Sequence, residues 1–417
     1  MERIVIEGRN PLKGTITIGG AKNSAVALIP ASLLANSPCT IKNVPNITDR
    51  DALFDIVKLL SCDIVQEGNI VTIDPTNLKN TLISQELSVK LRASYYFMGV
   101  LLGKYKKCEI YFPGGCNIGS RPIDLHLKGF RALGAKITKY KHKYTISADT
   151  LKGADIELDF ASVGATINIM YAAVLAEGIT RIKNAAKEVE IINIAHYLNK
   201  MGANIKGAGT DVIEIVGVKE LHGAEIKVIP DRIEAGTYII MGALLGDNLK
   251  INGIIKDHNT ALFETLEKMG VNFTFDEDSV IINGCNKLLP VDVKTLVYPG
   301  FPTDLGQPMS VLLTQAEGIC KMEETIWENR IGHYPYLIKM GANIELNGLT
   351  ATIKGKTELH GTEINATDLR GGAALIVAGL IAEGTTYIYD IDYILRGYEN
   401  IIHKLTNVGA KIKLEEI

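Results

Sequence analysis

Polar and apolar positions along this chain of 417 residues repeat on two scales. On the short scale, alternating runs such as Glu2-Arg3-Ile4-Val5-Ile6 predict strands, and longer apolar runs between them predict helices. On the long scale the whole arrangement returns roughly every 70 residues. Two apolar helical stretches close on the same string, Met-Gly-Ala-Asn-Ile, at 201–205 and 340–344. Variants stand at 133–137, 269–273 and 408–412, with a degenerate copy at 60–64. Ala-Glu-Gly precedes a strand at 176–178, 316–318 and 382–384. Leu-Lys-Gly at 12–14 and 151–153, and Leu-His-Gly at 221–223 and 359–361, each lead into a short alternating strand. Shortly after each of these glycines a helix is predicted, beginning at Lys22, Ser162, Arg232 and Arg370; Arg92 and Asp304 fall on the same ladder. Each unit reads strand, helix, glycine turn, strand, second helix, Gly-Ala turn, strand. Six copies in register exclude a chance recurrence of common dipeptides.

Every first helix opens on polar residues: Lys22 with Asn23, Arg92, Ser162, Arg232, Asp304, and Asp368 with Arg370. A helix N-terminus carries free N–H groups and partial positive charge, so such ends bind anions. If the units pack around local threefold axes, Lys22, Arg92, Arg121, Arg370 and Arg396 converge in a cluster too cationic to stand empty. Singly, each of these residues could be half of a surface ion pair. As a set they point to a phosphate or carboxylate ligand, because arginine's planar fork suits both.

Composition narrows the picture without adding chemistry. A hydrophobic fraction of 47%, a charged fraction of 22% and a net charge of −3 are those of a soluble globular chain and give no support for nucleic-acid or anionic-membrane binding. The first residues alternate like a strand and lack a signal peptide's apolar core, and the longest apolar runs are too short to span a bilayer, so the expected location is the cytoplasm. The six cysteines form no CxxC pair, which argues against a zinc site and, in a reducing compartment, against disulfides. Cys39, Cys62, Cys108, Cys285 and Cys320 sit among apolar neighbours and read as small core residues. Cys116 is different. It lies in Pro113-Gly114-Gly115-Cys116-Asn117-Ile118-Gly119-Ser120-Arg121-Pro122, a glycine-rich loop between prolines. Ser120 as N-cap and Pro122 in the first turn predict a helix start there. An exposed cysteine near that arginine meets the conditions for a reactive thiolate. A turn that merely contains a cysteine fits the spacing equally well.

The motifs together resemble the UDP-N-acetylglucosamine 1-carboxyvinyltransferase family, the enolpyruvyl transferases that open bacterial peptidoglycan synthesis. The resemblance runs along essentially the whole chain. Its strings are Gly19-Gly20-Ala21-Lys22-Asn23, Pro113-Gly114-Gly115-Cys116, Gly119-Ser120-Arg121-Pro122-Ile123-Asp124-Leu125-His126 and Ser162-Val163-Gly164-Ala165-Thr166. Pro230-Asp231-Arg232-Ile233-Glu234, Pro302-Thr303-Asp304, Glu328-Asn329-Arg330, Ala366-Thr367-Asp368-Leu369-Arg370 and Arg396-Gly397-Tyr398-Glu399 complete them. The fold it implies is an α/β, two-domain inside-out barrel of six βαβαββ-like units, three per domain, with helices inside and sheets outside. Residues 22–229 are expected to form the domain with the cysteine loop, 1–21 and 230–417 the other, and the active site their cleft.

The implied reaction moves the enolpyruvyl group of phosphoenolpyruvate to the 3′-hydroxyl of UDP-N-acetylglucosamine, with release of phosphate. Cys116 matches the family's acid, which forms a covalent adduct with phosphoenolpyruvate and is the group fosfomycin alkylates. Asp304 matches a general base; Lys22, Arg121 and Arg396 match the cations around phosphoenolpyruvate, with Asn23 orienting the intermediate. For the nucleotide the matches are Arg92, Arg121, Pro122, Ile123, Asp124, Leu125, Ser162, Val163, Gly164, Asp304 and Ile326. Asp368 and Arg370 match cleft residues without an assigned step, and His126 is left as a packing residue. No cofactor, metal, nucleic acid or membrane is implied, and a monomer is the expectation. Trp327, Phe160, Gly300 and Gly306-Gln307-Pro308 depart from familiar members, and Pro308 is expected to shorten the helix after Asp304. Two rivals remain: the sister enzyme 3-phosphoshikimate 1-carboxyvinyltransferase, and a catalytically silent UDP-sugar-binding paralogue.

Overall fold

The computed structural model describes residues 2–112 and 122–417. They divide into two units, one of residues 2–19 and 230–417, the other of the described residues between 20 and 229. Among the described residues the strands make five four-stranded sheets and one three-stranded sheet. The sheet that contains Asp155–Glu157 shows the plan. That strand runs parallel to Ile179–Lys183, with Ile156 opposite Ile182, and the helix Val163–Ala173 makes the crossover. Val212–Val216 then pairs antiparallel with both Ile179–Lys183 and Asn204–Lys206. Parallel neighbours need a crossover whereas antiparallel neighbours need only a turn, so the βαβαββ order follows. Ile156, Ile182, Ile213 and Ile215 are buried on one face, and alternate residues face solvent.

The crossover helices are the core. Lys22–Ala31, Tyr96–Tyr105 and Val163–Ala173 are buried almost all round in one unit. Arg232–Leu245, Thr303–Leu313 and Leu369–Ile381 are buried in the same way in the other, where all three pack against one another. A helix that is apolar on every side can only be an inner helix. The second helices, such as Thr48–Leu59 with Asp51, Asp55 and Lys58 outward, bury one face and leave the other wet. No helix among the described residues is long and apolar enough to cross a membrane.

Four readings of the sequence need correction. First, the repeat register places Leu12–Thr17 in one unit with the helix at Lys22. Instead that strand pairs in parallel with Gly246–Asn252, which follows the helix Arg232–Leu245. Glu225–Lys227, which precedes that helix, pairs in parallel with Cys39–Lys42, which follows the Lys22 helix. The two strands are exchanged because the chain changes unit at 19–20 and returns at 229–230. A Cβ at Gly20 would lie 1.8 Å from the Asn43 carbonyl oxygen, so only glycine fits the first crossing.

Second, the helix after the cysteine loop starts at Asp124, not Pro122. Ile123 is its N-cap, without a side-chain cap, and its carbonyl accepts the first helical bond, from Leu127 N at 3.1 Å. Third, Pro308 does not shorten the helix after Asp304, which runs from Thr303 to Leu313. The proline only removes one donor near the start, where buried neighbours hold the turn. Fourth, Cys285 is half-buried, with its thiol donating to the Lys287 and Gly270 carbonyls, while Cys39, Cys62, Cys108 and Cys320 are buried as expected. Burial pushes the Cys62 and Cys108 thiols up to about 12, so neither is a nucleophile.

Candidate active site

In the unit of residues 20–229, the inner helices open on neutral or cationic residues. The Lys22 helix has no side-chain cap and no acid in its first turn. Lys22 Nζ is 2.8 Å from Asp49 Oδ2, and both side chains are largely buried. That pair corrects the expectation of an uncompensated cationic cluster, since Lys22 has a carboxylate from its own unit. Asn23 follows it, half-buried. Arg92 opens the turn Arg92–Tyr95 that leads into the next inner helix, with its guanidinium 5.7 Å from the Tyr95 ring centre. Ser162 caps the third inner helix by accepting from Ala165 N at 3.3 Å, leaving Val163 and Gly164 in the first turn.

Gly164 is held close. A Cβ there would lie 2.8 Å from Tyr95 Oη and 2.9 Å from His126 Cε1. His126 is buried, and its Nδ1 accepts from Asn168 Nδ2 at 3.0 Å while Asn168 Oδ1 accepts from Gly99 N at 2.8 Å. Burial, reinforced by Arg92, pushes the imidazole down to about 3. A buried, neutral histidine with its Nδ1 engaged packs the helix Asp124–Ala132 against Val163–Ala173. Pro122 and Asp124 are exposed, Ile123 is buried and Leu125 half-buried. Cys116 and Arg121 lie outside the described residues.

The other unit carries a different arrangement. Asp304 is the second residue of its helix and holds two arginines, with Oδ1 2.5 Å from Arg330 Nη2 and Oδ2 3.2 Å from Arg370 Nη2. Both guanidiniums are buried, whereas 20% of the Asp304 side chain remains exposed. Burial alone would raise the Asp304 carboxyl. The charges of Arg330, Arg370 and Arg232 more than offset that and hold it well below the usual carboxylate range. Arg370 also lies over the Tyr398 ring, 5.2 Å from its centre.

Asp368 caps the helix that carries Arg370. Its Oδ1 accepts from Arg370 N at 2.9 Å and Gly371 N at 3.0 Å, and its Oδ2 from Gln307 Nε2 and Thr367 Oγ1, both at 3.0 Å. With four acceptor bonds it fixes the start of the helix that carries Arg370. Ile326 is tied by its backbone: Ile326 N and Trp327 N donate to Glu324 Oε1 at 2.7 and 3.1 Å, while Thr303 Oγ1 donates to Glu324 Oε2 at 2.8 Å. Arg396 is half-buried at the end of the helix Asp392–Leu395. The geometry thus brings Asp304, Arg370 and Asp368 together and adds Arg330, Glu324 and Gln307, which the site expectations omitted. Arg330 had a signal, since it ends one of the quoted strings. Asp49, at the start of its own helix, reads from sequence as an ordinary dipole-compensating acid.

A partly exposed carboxylate between two guanidiniums suits a hydroxyl and an anionic group side by side. A family model described as EPSP synthase (3-phosphoshikimate 1-carboxyvinyltransferase) matches residues 6–405. The UDP-N-acetylglucosamine 1-carboxyvinyltransferase 2 of Bacillus subtilis (strain 168) is 50% identical over 418 residues, 100% of this chain and 97% of the relative. The UDP-N-acetylglucosamine 1-carboxyvinyltransferase of Halothermothrix orenii is also 50% identical, over 99% of both chains. The chain belongs to the UDP-N-acetylglucosamine 1-carboxyvinyltransferase family. The sister synthase lends its description to the broad family model, but full-length identity separates this carboxyvinyltransferase chain from it. The crystal structure of the enolpyruvyl transferase NikO from Streptomyces tendae superposes with a TM-score of 0.90 at 25% identity, covering 99% of each chain. An EPSP synthase from Acinetobacter baumannii, at 20% identity and a TM-score of 0.78 over 100% of both chains, shares the fold. The α/β enolpyruvyl transferase fold of this carboxyvinyltransferase is therefore shown by structure as well as by sequence.

Proposed function

We propose that this chain transfers the enolpyruvyl group of phosphoenolpyruvate to the 3′-hydroxyl of UDP-N-acetylglucosamine, releasing phosphate, as the first committed step of peptidoglycan synthesis. The full-length relationship to named transferases carries the reading. In it, protonation of the alkene makes an oxocarbenium-like carbon and the sugar hydroxyl adds to it. Loss of phosphate and of a methyl proton from the tetrahedral ketal then restores the alkene. Cys116 serves as acid and adduct-forming thiol; Lys22, Asn23, Arg121 and Arg396 hold phosphoenolpyruvate and stabilise the departing phosphate. Arg92, residues 121–125, Ser162–Gly164 and Ile326 hold UDP-N-acetylglucosamine.

Asp304 receives the hydroxyl proton. The charges of Arg330, Arg370 and Arg232 hold its carboxyl low, so loosening either ion pair would strengthen it as a base. The reading carries with it a cytoplasmic location and a single-chain active form. Phosphate release from phosphoenolpyruvate tests it, wild type against Cys116→Ser. Release that requires UDP-N-acetylglucosamine and collapses in the variant is expected. Release driven by shikimate 3-phosphate, or none with either acceptor despite UDP-sugar binding, sinks the assignment.

A further inference from the structure

The segment Gly306-Gln307-Pro308, which has no part in the reaction as read so far, lies in the helix that carries Asp304. Asp304, Gln307 and Ser310 stand three residues apart on its successive turns, and each reaches a different segment of the unit. Asp304 holds Arg330 and Arg370. Gln307 is buried and donates to Asp368 Oδ2 at 3.0 Å, the cap whose other oxygen fixes the backbone of Arg370. Ser310 is fully buried, donates to the Gln307 carbonyl at 2.6 Å and lies 2.7 Å from His333 Nε2. With the hydroxyl proton committed to Gln307, His333 must donate from Nε2, leaving Nδ1, which has no partner, unprotonated. His333 ends the tight turn of residues 328–333 that presents Arg330.

We infer that Gln307 and Ser310 are positioning residues that hold Arg370 and Arg330 on Asp304, Gln307 through the Asp368 cap and Ser310 through His333. Gln307 Oε1 is buried without a partner. The amide is therefore retained for its donor half, since an apolar residue of similar volume would avoid that orphaned oxygen. A carboxylate that receives a proton beside the reacting carbon needs its two arginine contacts held at fixed angles, because small misplacements of reacting groups cost large factors in rate.

The inference rests on the transferase reading, and the test separates the two. Gln307→Met keeps the volume and removes the donor; Gln307→Asn keeps the amide but shortens its reach. Both are expected to lower kcat for phosphate release about tenfold, and Ser310→Ala about threefold. The KM for UDP-N-acetylglucosamine should stay within about twofold in all three. In an Arg370→Lys background the Gln307→Met effect should largely vanish, since both changes disturb one arginine. Unchanged kcat in the Gln307 variants overturns the inference, as does an effect that persists in full in the Arg370→Lys background. A wild-type chain that releases no phosphate overturns the transfer reading and the inference with it.

Discussion

The two units use one scaffold with opposite electrostatics at the starts of their inner helices. Around Lys22, Arg92 and Ser162 the first turns contain no acid, and the only side-chain cap is a serine. Around Arg232, Asp304 and Arg370 every start has a carboxylate, with Asp231 and Asp368 as caps and Glu234 and Asp304 in first turns. A helix N-terminus can satisfy its free N–H groups with its own acid or keep them for a ligand's anion. The first unit leaves the Lys22 start uncapped and caps Val163–Ala173 with a neutral serine. The second caps two of its three starts with Asp231 and Asp368, and at the third, which has no side-chain cap, it gathers arginines around Asp304. The repeats thus diverge at their helix starts, while the inner helices stay buried alike and five of the six sheets keep four strands.

The comparison breaks most visibly at Asp304. Asp304→Asn leaves two buried guanidiniums without their charge partner and removes the proposed base, so kcat should fall about a thousandfold. A loss below threefold by steady-state phosphate release would mean that the carboxylate only orders the arginines. A smaller effect comes from giving the first unit the second unit's chemistry. Ser162→Asp preserves the cap, so thermal stability should hold, but it fills the anion position and should raise the KM for UDP-N-acetylglucosamine about thirtyfold with little change for phosphoenolpyruvate. Equal KM values would show that this helix start does not face the nucleotide.

The smallest effect is one on which the units agree. Each buries a neutral histidine, His126 pushed down to about 3 and His333 to about 4, in both cases chiefly by burial. Below about pH 6.5 the unfolded chain takes up these protons and the folded chain does not. Each therefore contributes stability that is complete above that pH and declines by about 1.4 kcal/mol per pH unit on acidification, until the folded group titrates. Thermal midpoints between pH 7 and 4.5 should fall accordingly, and less steeply in His126→Gln. Identical slopes would exclude His126 as a source of the loss.

Much of this was legible along the chain because it is set by local pattern. Strand alternation, all-apolar inner helices, glycine turns and the six-fold recurrence depend on neighbours in sequence, and the helix starts at Lys22, Ser162 and Arg232 fell within a residue of expectation. The quoted strings carried the family and the reaction. Partners distant in sequence were not legible. The exchange of Leu12–Thr17 with Glu225–Lys227 has no local signature in the repeat, because each strand pairs with a segment far away in the chain; only the resemblance set residues 1–21 with 230–417. Nor could Lys22 be seen to have Asp49, or Asp304 to have Arg330 as well as Arg370. Charge depends on distances between segments far apart in the chain, and a cation that looks poised for a substrate in one dimension is already half neutralised in three. The repeating scaffold and the family were thus determined by sequence alone. Which strand completes which sheet, and which carboxylate each buried cation holds, was decided only by the tertiary packing.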